Sequence, residues 1–176
     1  PYTNGLLYWN ESMGQDNTPA TIDPNYPDVW YSNNMQVIAG SQDIDGDSII
    51  QLDGYAIYYM SLSSMPSSGI DEDGDIYVSY SAVMEGISNG AQNFRHINLI
   101  KSTDGGNSWS CPLDVTPHDM WMGQQECVFA SMDSKVDDKV RLVYQKDFEP
   151  GLAVRGDEDL IDLNEIIYIE IDATII

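Results

Sequence analysis

One octapeptide constrains this chain more than any other part of it: Ser102-Thr103-Asp104-Gly105-Gly106-Asn107-Ser108-Trp109. Asp104-Gly105-Gly106-Asn107 is a dense turn signal between two β-prone runs. Glycine supplies positive φ without steric cost. The Asp104 carboxylate is placed to accept bonds from backbone N–H groups of its own turn, as Asx turns do. Trp109 opens the following strand and offers a large ring to cover the hairpin. These residues serve structure rather than chemistry, so build is more legible here than activity.

On both sides of this turn the chain alternates with period two. Ile76, Val78 and Tyr80 share one strand face, Ile97 and Leu99 another, and Val140, Leu142 and Tyr144 a third; 165–171 is the clearest strand. No segment carries a helical stripe with caps. A repeat is visible at an offset of 64 residues, which pairs Tyr80 with Tyr144, Ser67 with Ser131, Asp73 with Asp137, and Ile76-Tyr77-Val78 with Val140-Arg141-Leu142. That period fits a four-stranded blade plus its connection.

The expected fold is an all-β, partial β-propeller of two to three four-stranded blades. Residues 1–58 form part of a preceding blade with irregular loops and strand-like pieces at 5–9, 29–39 and 48–52. Residues 59–125 form a full blade and its connection, with strands near 60–70, 75–83, 95–102 and 108–115 and a loop over 84–93. Residues 126–176 begin the next blade. So few blades cannot close a ring that protects its edges. The chain, which starts at Pro1, therefore reads as part of a longer one whose remaining blades are its partners.

A length of 176 residues and 42% hydrophobic content allow a real core. The net charge of −22 opposes binding to nucleic acid and to anionic membranes. No apolar run reaches the ~18 residues of a membrane helix, so no membrane insertion is expected. Cys111 falls on an outer strand and Cys127 on the inner strand of the next blade. Neighbouring strands lie about 4.8 Å apart, which puts the two too far from each other to bridge; two free thiols are expected.

Ser102, Asp104, Gly106, Ser108 and Trp109 satisfy the pattern Ser-x-Asp-x-Gly-x-Ser/Thr-Trp, the Asp box. With the blade period, and with 79–83 and 144–151, residues from about 60 to 171 resemble the sialidase-like (Asp-box, or BNR-repeat) β-propeller superfamily. They are most similar to secreted propellers of Bacteroidetes-type bacteria named sialidase-like from their fold. The resemblance implies an extracellular or cell-surface location and a glycan or protein ligand. Sialidases of this type hold the substrate carboxylate with three arginines and use a Tyr/Glu nucleophile pair with an aspartate acid/base. Guanidinium forks match a carboxylate, and the nucleophile needs a neighbouring carboxylate. This chain offers only Arg95, Arg141 and Arg155. Arg141 points away from the Val140/Leu142 face and Arg95 begins a strand in another blade. No catalytic residue is carried over, and no activated Tyr/Glu pair is expected. Two readings stand: a non-catalytic binding or display module, and part of an exo-α-sialidase-type glycoside hydrolase whose site other blades complete.

Three further features bear on ligands. Asp43-Ile44-Asp45-Gly46-Asp47 and Asp71-Glu72-Asp73-Gly74-Asp75 are both Asp-x-Asp-Gly-Asp. Oxygens at alternate positions of a glycine turn suit calcium, but EF-hand spacing is missing. Each run precedes a strand, where acidic glycine turns are ordinary connections. The turn reading leads and no cofactor is expected. Asp43, Asp45, Asp47, Asp71, Asp73 and Asp75 remain calcium candidates, the first run ahead because Asp53 follows it. His118 and Trp121 lie in a connection between blades, where Trp121 could stack on a sugar face or pack on the neighbouring blade. Arg155 lies in the acidic loop 147–165, within Arg155-Gly156-Asp157. No zinc spacing, nucleophile elbow, phosphate loop or dinucleotide fingerprint is present.

Overall fold

The computed structural model describes residues 4–14, 21–22, 30–31, 35–56, 58, 60–117, 124–152, 159, 161 and 163–176. Within them the chain is all-β, with 3-10 turns only at Glu11–Met13 and Ala173–Ile175. The strands are β1 (Leu6–Tyr8), β2 (Thr21–Ile22), β3 (Trp30–Tyr31), β4 (Gln36–Ala39), β5 (Ser63–Ile70), β6 (Ile76–Ser88), β7 (Asn93–Ser102), β8 (Leu113–Asp114), β9 (Glu126–Met132), β10 (Lys139–Asp147) and β11 (Glu165–Asp172). They form antiparallel sheets, none closed among the described residues: β5-β6-β7-β8, β9-β10-β11, β1-β4 and the short pair β2-β3.

Period-two alternation decides how three of these sheets stack. On one face of the four-stranded sheet, Val78, Tyr80, Ala82 and Ile100 close on Leu6, Ile38 and Ala39 of β1 and β4. On the other face Tyr77, Ile97 and Leu99 close on Cys127, Val140, Leu142, Tyr144 and Ile171 of the three-stranded sheet. The central sheet is therefore apolar on both faces and lies between its neighbours. At the turn end, Ile70 N–H donates to the Ser134 carbonyl (3.1 Å) and Val136 N–H to the Ile70 carbonyl (3.0 Å), tying the two larger sheets together.

The 64-residue offset is written into the backbone. Met65 on β5 and Phe129 on β9 are two of the three non-glycine residues with positive φ among the described residues, at 57° and 56°. Both strands bulge there: pairing shifts between Ser64 and Ser67 on β5, and opposite Val143 and Gln145 on β9. The Phe129 N–H donates to the Met65 sulfur at 3.4 Å, so the two bulges nest across the interface. A bulge of this kind re-aims a strand and is rarely incidental.

Three strand expectations need correction. β6 runs on through Met84–Ser88, which the sequence reads as loop, and turns tightly between Ser88 and Asn93. The fourth strand is only Leu113–Asp114 rather than 108–115. Pro112 has no N–H to give, and the Ser110 hydroxyl takes the Lys101 N–H at 3.0 Å in place of a ladder carbonyl. Residues 48–52 form no strand, because side-chain carboxylates take the amides of Ser48 and Ile49. Both cysteines are free, Cys111 exposed and Cys127 buried, and burial pushes the Cys127 thiol up to about 12.

The Ser102–Trp109 turn is a closed hydrogen-bond knot. Asp104 accepts from Ser102 Oγ (2.9 Å), Ser108 N (2.8 Å) and Ser108 Oγ (2.6 Å), while Gly106 N donates to Ser102 Oγ (2.8 Å). These bonds to the charged form hold the Asp104 carboxyl down at about 2. Trp109 donates to the Gly106 carbonyl (3.2 Å) and meets Tyr8 edge-on at 5.3 Å. Tyr8 covers Gly106 so closely that a Cβ there would lie 2.3 Å from its ring, and φ is +89°. Gly105 is also left-handed (φ +70°) but faces open space. Gly105→Ala should therefore cost about 1–2 kcal/mol for its backbone alone. Gly106→Ala should cost clearly more, and Tyr8→Ala in the same chain should recover part of the difference, as read by urea denaturation.

Candidate functional site

The strand ends away from the Ser102–Trp109 turn carry a buried polar cluster. Glu126 opens β9, Arg95 lies near the start of β7, and Tyr58 precedes β5. Glu126 accepts from the Tyr58 hydroxyl at 2.8 Å and from the Arg95 backbone N–H at 2.6 Å. The Arg95 guanidinium donates to the carbonyls of Leu62 (3.1 Å) and Ser61 (3.0 Å) and to Ser64 Oγ (3.4 Å), and lies 5.4 Å from the Tyr58 ring centre. Gly151 N–H donates to the Tyr58 oxygen at 3.1 Å. Glu126 and Arg95 are each 1% exposed.

Burial sets the electrostatics. It pushes the Glu126 carboxyl up to about 7, against the bonds and positive charge that favour its ionised form. It raises the Tyr58 phenol far above its ordinary range, with the Glu126 charge adding to it, and lowers the Arg95 guanidinium. Tyr58 packs with Ala56 and Val128 beneath Leu152 and Met65, and meets Phe129 edge-on at 6.0 Å. The cluster is a sealed polar joint between the two larger sheets. Tyr58 and Glu126 are a hydrogen-bonded pair whose phenol is un-ionised and closed off from solvent, with Arg95 as its buried neighbour.

Among the described residues, Arg95 and Arg141 do not converge. Arg141 sits at the other end of the strands, beside the Asp133–Lys139 turn, paired with Asp137 (2.8 Å) and Glu170 (3.1 Å). Arg155, His118 and Trp121 lie outside the described residues. Asp147, from the acidic loop, is buried and accepts from Phe148 N at 2.6 Å. His96 is also buried, its Nδ1 2.6 Å from Asp114 Oδ2, and its Nε2 has no partner among the described residues.

A second cluster joins Asp43 and Asp45 to Glu85 of β6, with carboxylate oxygens within 4.8 Å of one another. Asp47 does not join: its oxygens take the Ile49 amide and the Gln51 side chain. The oxygen-only donor set suits calcium in type, but calcium takes 6–8 ligands and three carboxylates supply only part of that shell. These oxygens already hold the loop: Asp43 accepts from Gly46 N (2.7 Å) and Ser48 N (2.6 Å), and Glu85 from Ile44 N (2.6 Å) and Gln51 N (2.6 Å). Glu85→Gln sets an amide group against one of those N–H donors. It should cost about 1–3 kcal/mol and speed hydrogen exchange at the Ile44 and Gln51 amides. In the Asp71–Asp75 run, Asp71 accepts from Asp73 N, Asp75 N and the Tyr77 hydroxyl, and Asp75 pairs with Lys101. That run is an internally satisfied turn.

Tyr58, Glu126 and Glu85 escaped sequence reasoning. The one available signal was a charged residue heading an apolar run, Glu126 before Cys127-Val128. Among the described residues no helix is long and apolar enough to cross a membrane. The chain matches no protein-family model and no curated protein.

Proposed function

We propose that this chain is a segment of a secreted or surface β-propeller of the sialidase-like type, and that it serves binding or display rather than catalysis. The sheets β5–β8 and β9–β11 are read as successive blades and β1–β4 as part of a third. The observation that carries the non-catalytic reading is the use of Arg95: its guanidinium is spent on main-chain carbonyls inside the fold, where it cannot receive a substrate carboxylate. Arg141 is engaged by acidic neighbours at the opposite end. Ligands of such a module would be glycans or proteins met by loops on a rigid scaffold. The test is retention on immobilised sialylated and neutral glycans: retention without turnover is expected, and release of free sialic acid would overturn the reading.

The second reading, one part of a sialidase-type glycoside hydrolase, is favoured by one observation, the 2.8 Å contact between Tyr58 and Glu126 beside Arg95. It requires that cluster to open. A Tyr58→Phe variant separates the two readings, because only the second makes turnover depend on that hydroxyl.

A further inference from the structure

Two buried carboxyls face each other at the joint between the larger sheets. Glu126 on β9 and Asp147 on β10 are cross-strand partners, so their side chains leave the sheet on the same face. They are 1% and 6% exposed. The groups that face Glu126 are Tyr58 from the segment before β5, Arg95 from β7 and Asp147 itself. Lys146, the next residue on β10, pairs with Glu165. Among the described residues of the joint, one guanidinium stands against two carboxyls, and its own bonds go to the Leu62 and Ser61 carbonyls and to Ser64. Ionising both carboxyls leaves a surplus negative charge in the interior, and like charges directly opposite on two strands destabilise the pairing.

The chain leaves β10 through this pair. Asp147 Oδ1 accepts from the amides of Phe148 (2.6 Å) and Glu149 (3.3 Å). Pro150 and Gly151 are then buried. Gly151 N–H donates to the Tyr58 oxygen, whose own hydrogen goes to Glu126. Leu152 packs on the Ala56/Tyr58/Val128 cluster. We propose that residues 148–152 form a strap latched by one proton shared between Glu126 and Asp147: with it the strap lies closed over Tyr58, and its loss lets the strap lift while the sheets stay folded. The closed state belongs to mildly acidic pH. Burial raises the Glu126 carboxyl from its ordinary 4.5 to about 7, so the closing contribution is complete below 4.5 and is lost as pH rises toward 7. A lifted strap uncovers Tyr58 and, behind it, Glu126 and Arg95. The latch rests on these contacts alone, so it stands or falls separately from the sialidase-like reading.

The test is amide hydrogen exchange of the whole chain from pH 5 to 8, each rate divided by its unstructured-peptide value. The Gly151 amide should exchange faster than the core amides of Ile97 and Leu142 at every pH. Its protection should fall between pH 5 and 7, by at most about tenfold per unit because one proton is released, and level off above. Glu126→Gln, a neutral stand-in for the protonated acid, should hold that protection constant. Asp147→Asn keeps an oxygen for the Phe148 and Glu149 amides but removes the facing charge, and should shorten the fall. Gly151 protection that does not change between pH 5 and 7, or that falls as steeply in Glu126→Gln, would overturn the proposal. So would an unchanged fall in Asp147→Asn, or exchange of Gly151 only in step with Ile97 and Leu142, which marks global unfolding rather than a strap.

Discussion

Ile97→Ala should lower the stability of the chain by about 2–5 kcal/mol, the range for emptying a packed aliphatic site. Ile166→Ala, the same chemical change 69 residues on at the equivalent sheet position, should stay within about 0.5 kcal/mol. Ile97 is wholly enclosed between two sheets; Ile166 lies on the face that nothing described covers. Residue type and register to the neighbouring strand are matched, while β7 is flanked on both sides and β11 is an edge strand, so the contrast reads burial by neighbouring strands and sheets together. Guanidinium denaturation of both variants reads it directly. Comparable losses would mean that the two faces are not equivalent surfaces, one covered and one bare.

Breaking the buried joint should have an effect of similar size. Glu126→Ala leaves the Arg95 backbone N–H and the Tyr58 hydroxyl without their shared acceptor, and each buried donor left unsatisfied costs about 1–3 kcal/mol. The pH dependence carries its own signature. The Glu126 carboxyl is raised from its ordinary 4.5 to about 7, so the folded chain holds a proton that the unfolded chain has released. Its contribution is present in full below 4.5 and is lost as pH rises toward 7. Asp104, Asp137 and Glu170 are held down at about 2, so their contributions are complete above their ordinary range and disappear only in acid. From about pH 5 to 7 the melting temperature should therefore fall. Glu126→Gln, which cannot ionise, should flatten that limb and leave the acid limb unchanged. A rise over that range in the parent chain would contradict the assignment.

The strands were legible because each large sheet is apolar on alternate residues, a pattern short enough to read locally. Ile76/Val78/Tyr80 and Val140/Leu142/Tyr144 fall on the faces that alternation assigns them. The Met84–Ser88 extension was hidden because Glu85-Gly86 interrupts the alternation; Glu85 points its carboxylate at the amides of Ile44 and Gln51 instead of water. The fourth strand was overread because Trp109 and Val115 look β-prone while Pro112, between them, breaks the ladder. Of the buried joint, only Glu126 heading the apolar run Cys127-Val128 left a mark in the sequence. Its members stand at 58, 95 and 126: Arg95 and Glu126 lie at the entries to β7 and β9, where a polar residue ordinarily faces solvent, and Tyr58 lies in the segment before β5. Only the stacking of one sheet on the next turns these three positions into one interior.

That joint also decides between the functional readings, because the same Tyr58, Glu126 and Arg95 can be a sealed support or the beginning of a catalytic centre. The most direct measurement is release of the fluorophore from a fluorogenic sialoside by the whole chain, run beside Tyr58→Phe across pH 5 to 8. No release above the uncatalysed rate is expected at any pH, and no difference between the two proteins. Release that disappears in Tyr58→Phe, with folding retained, would contradict it and make the cluster a working active site.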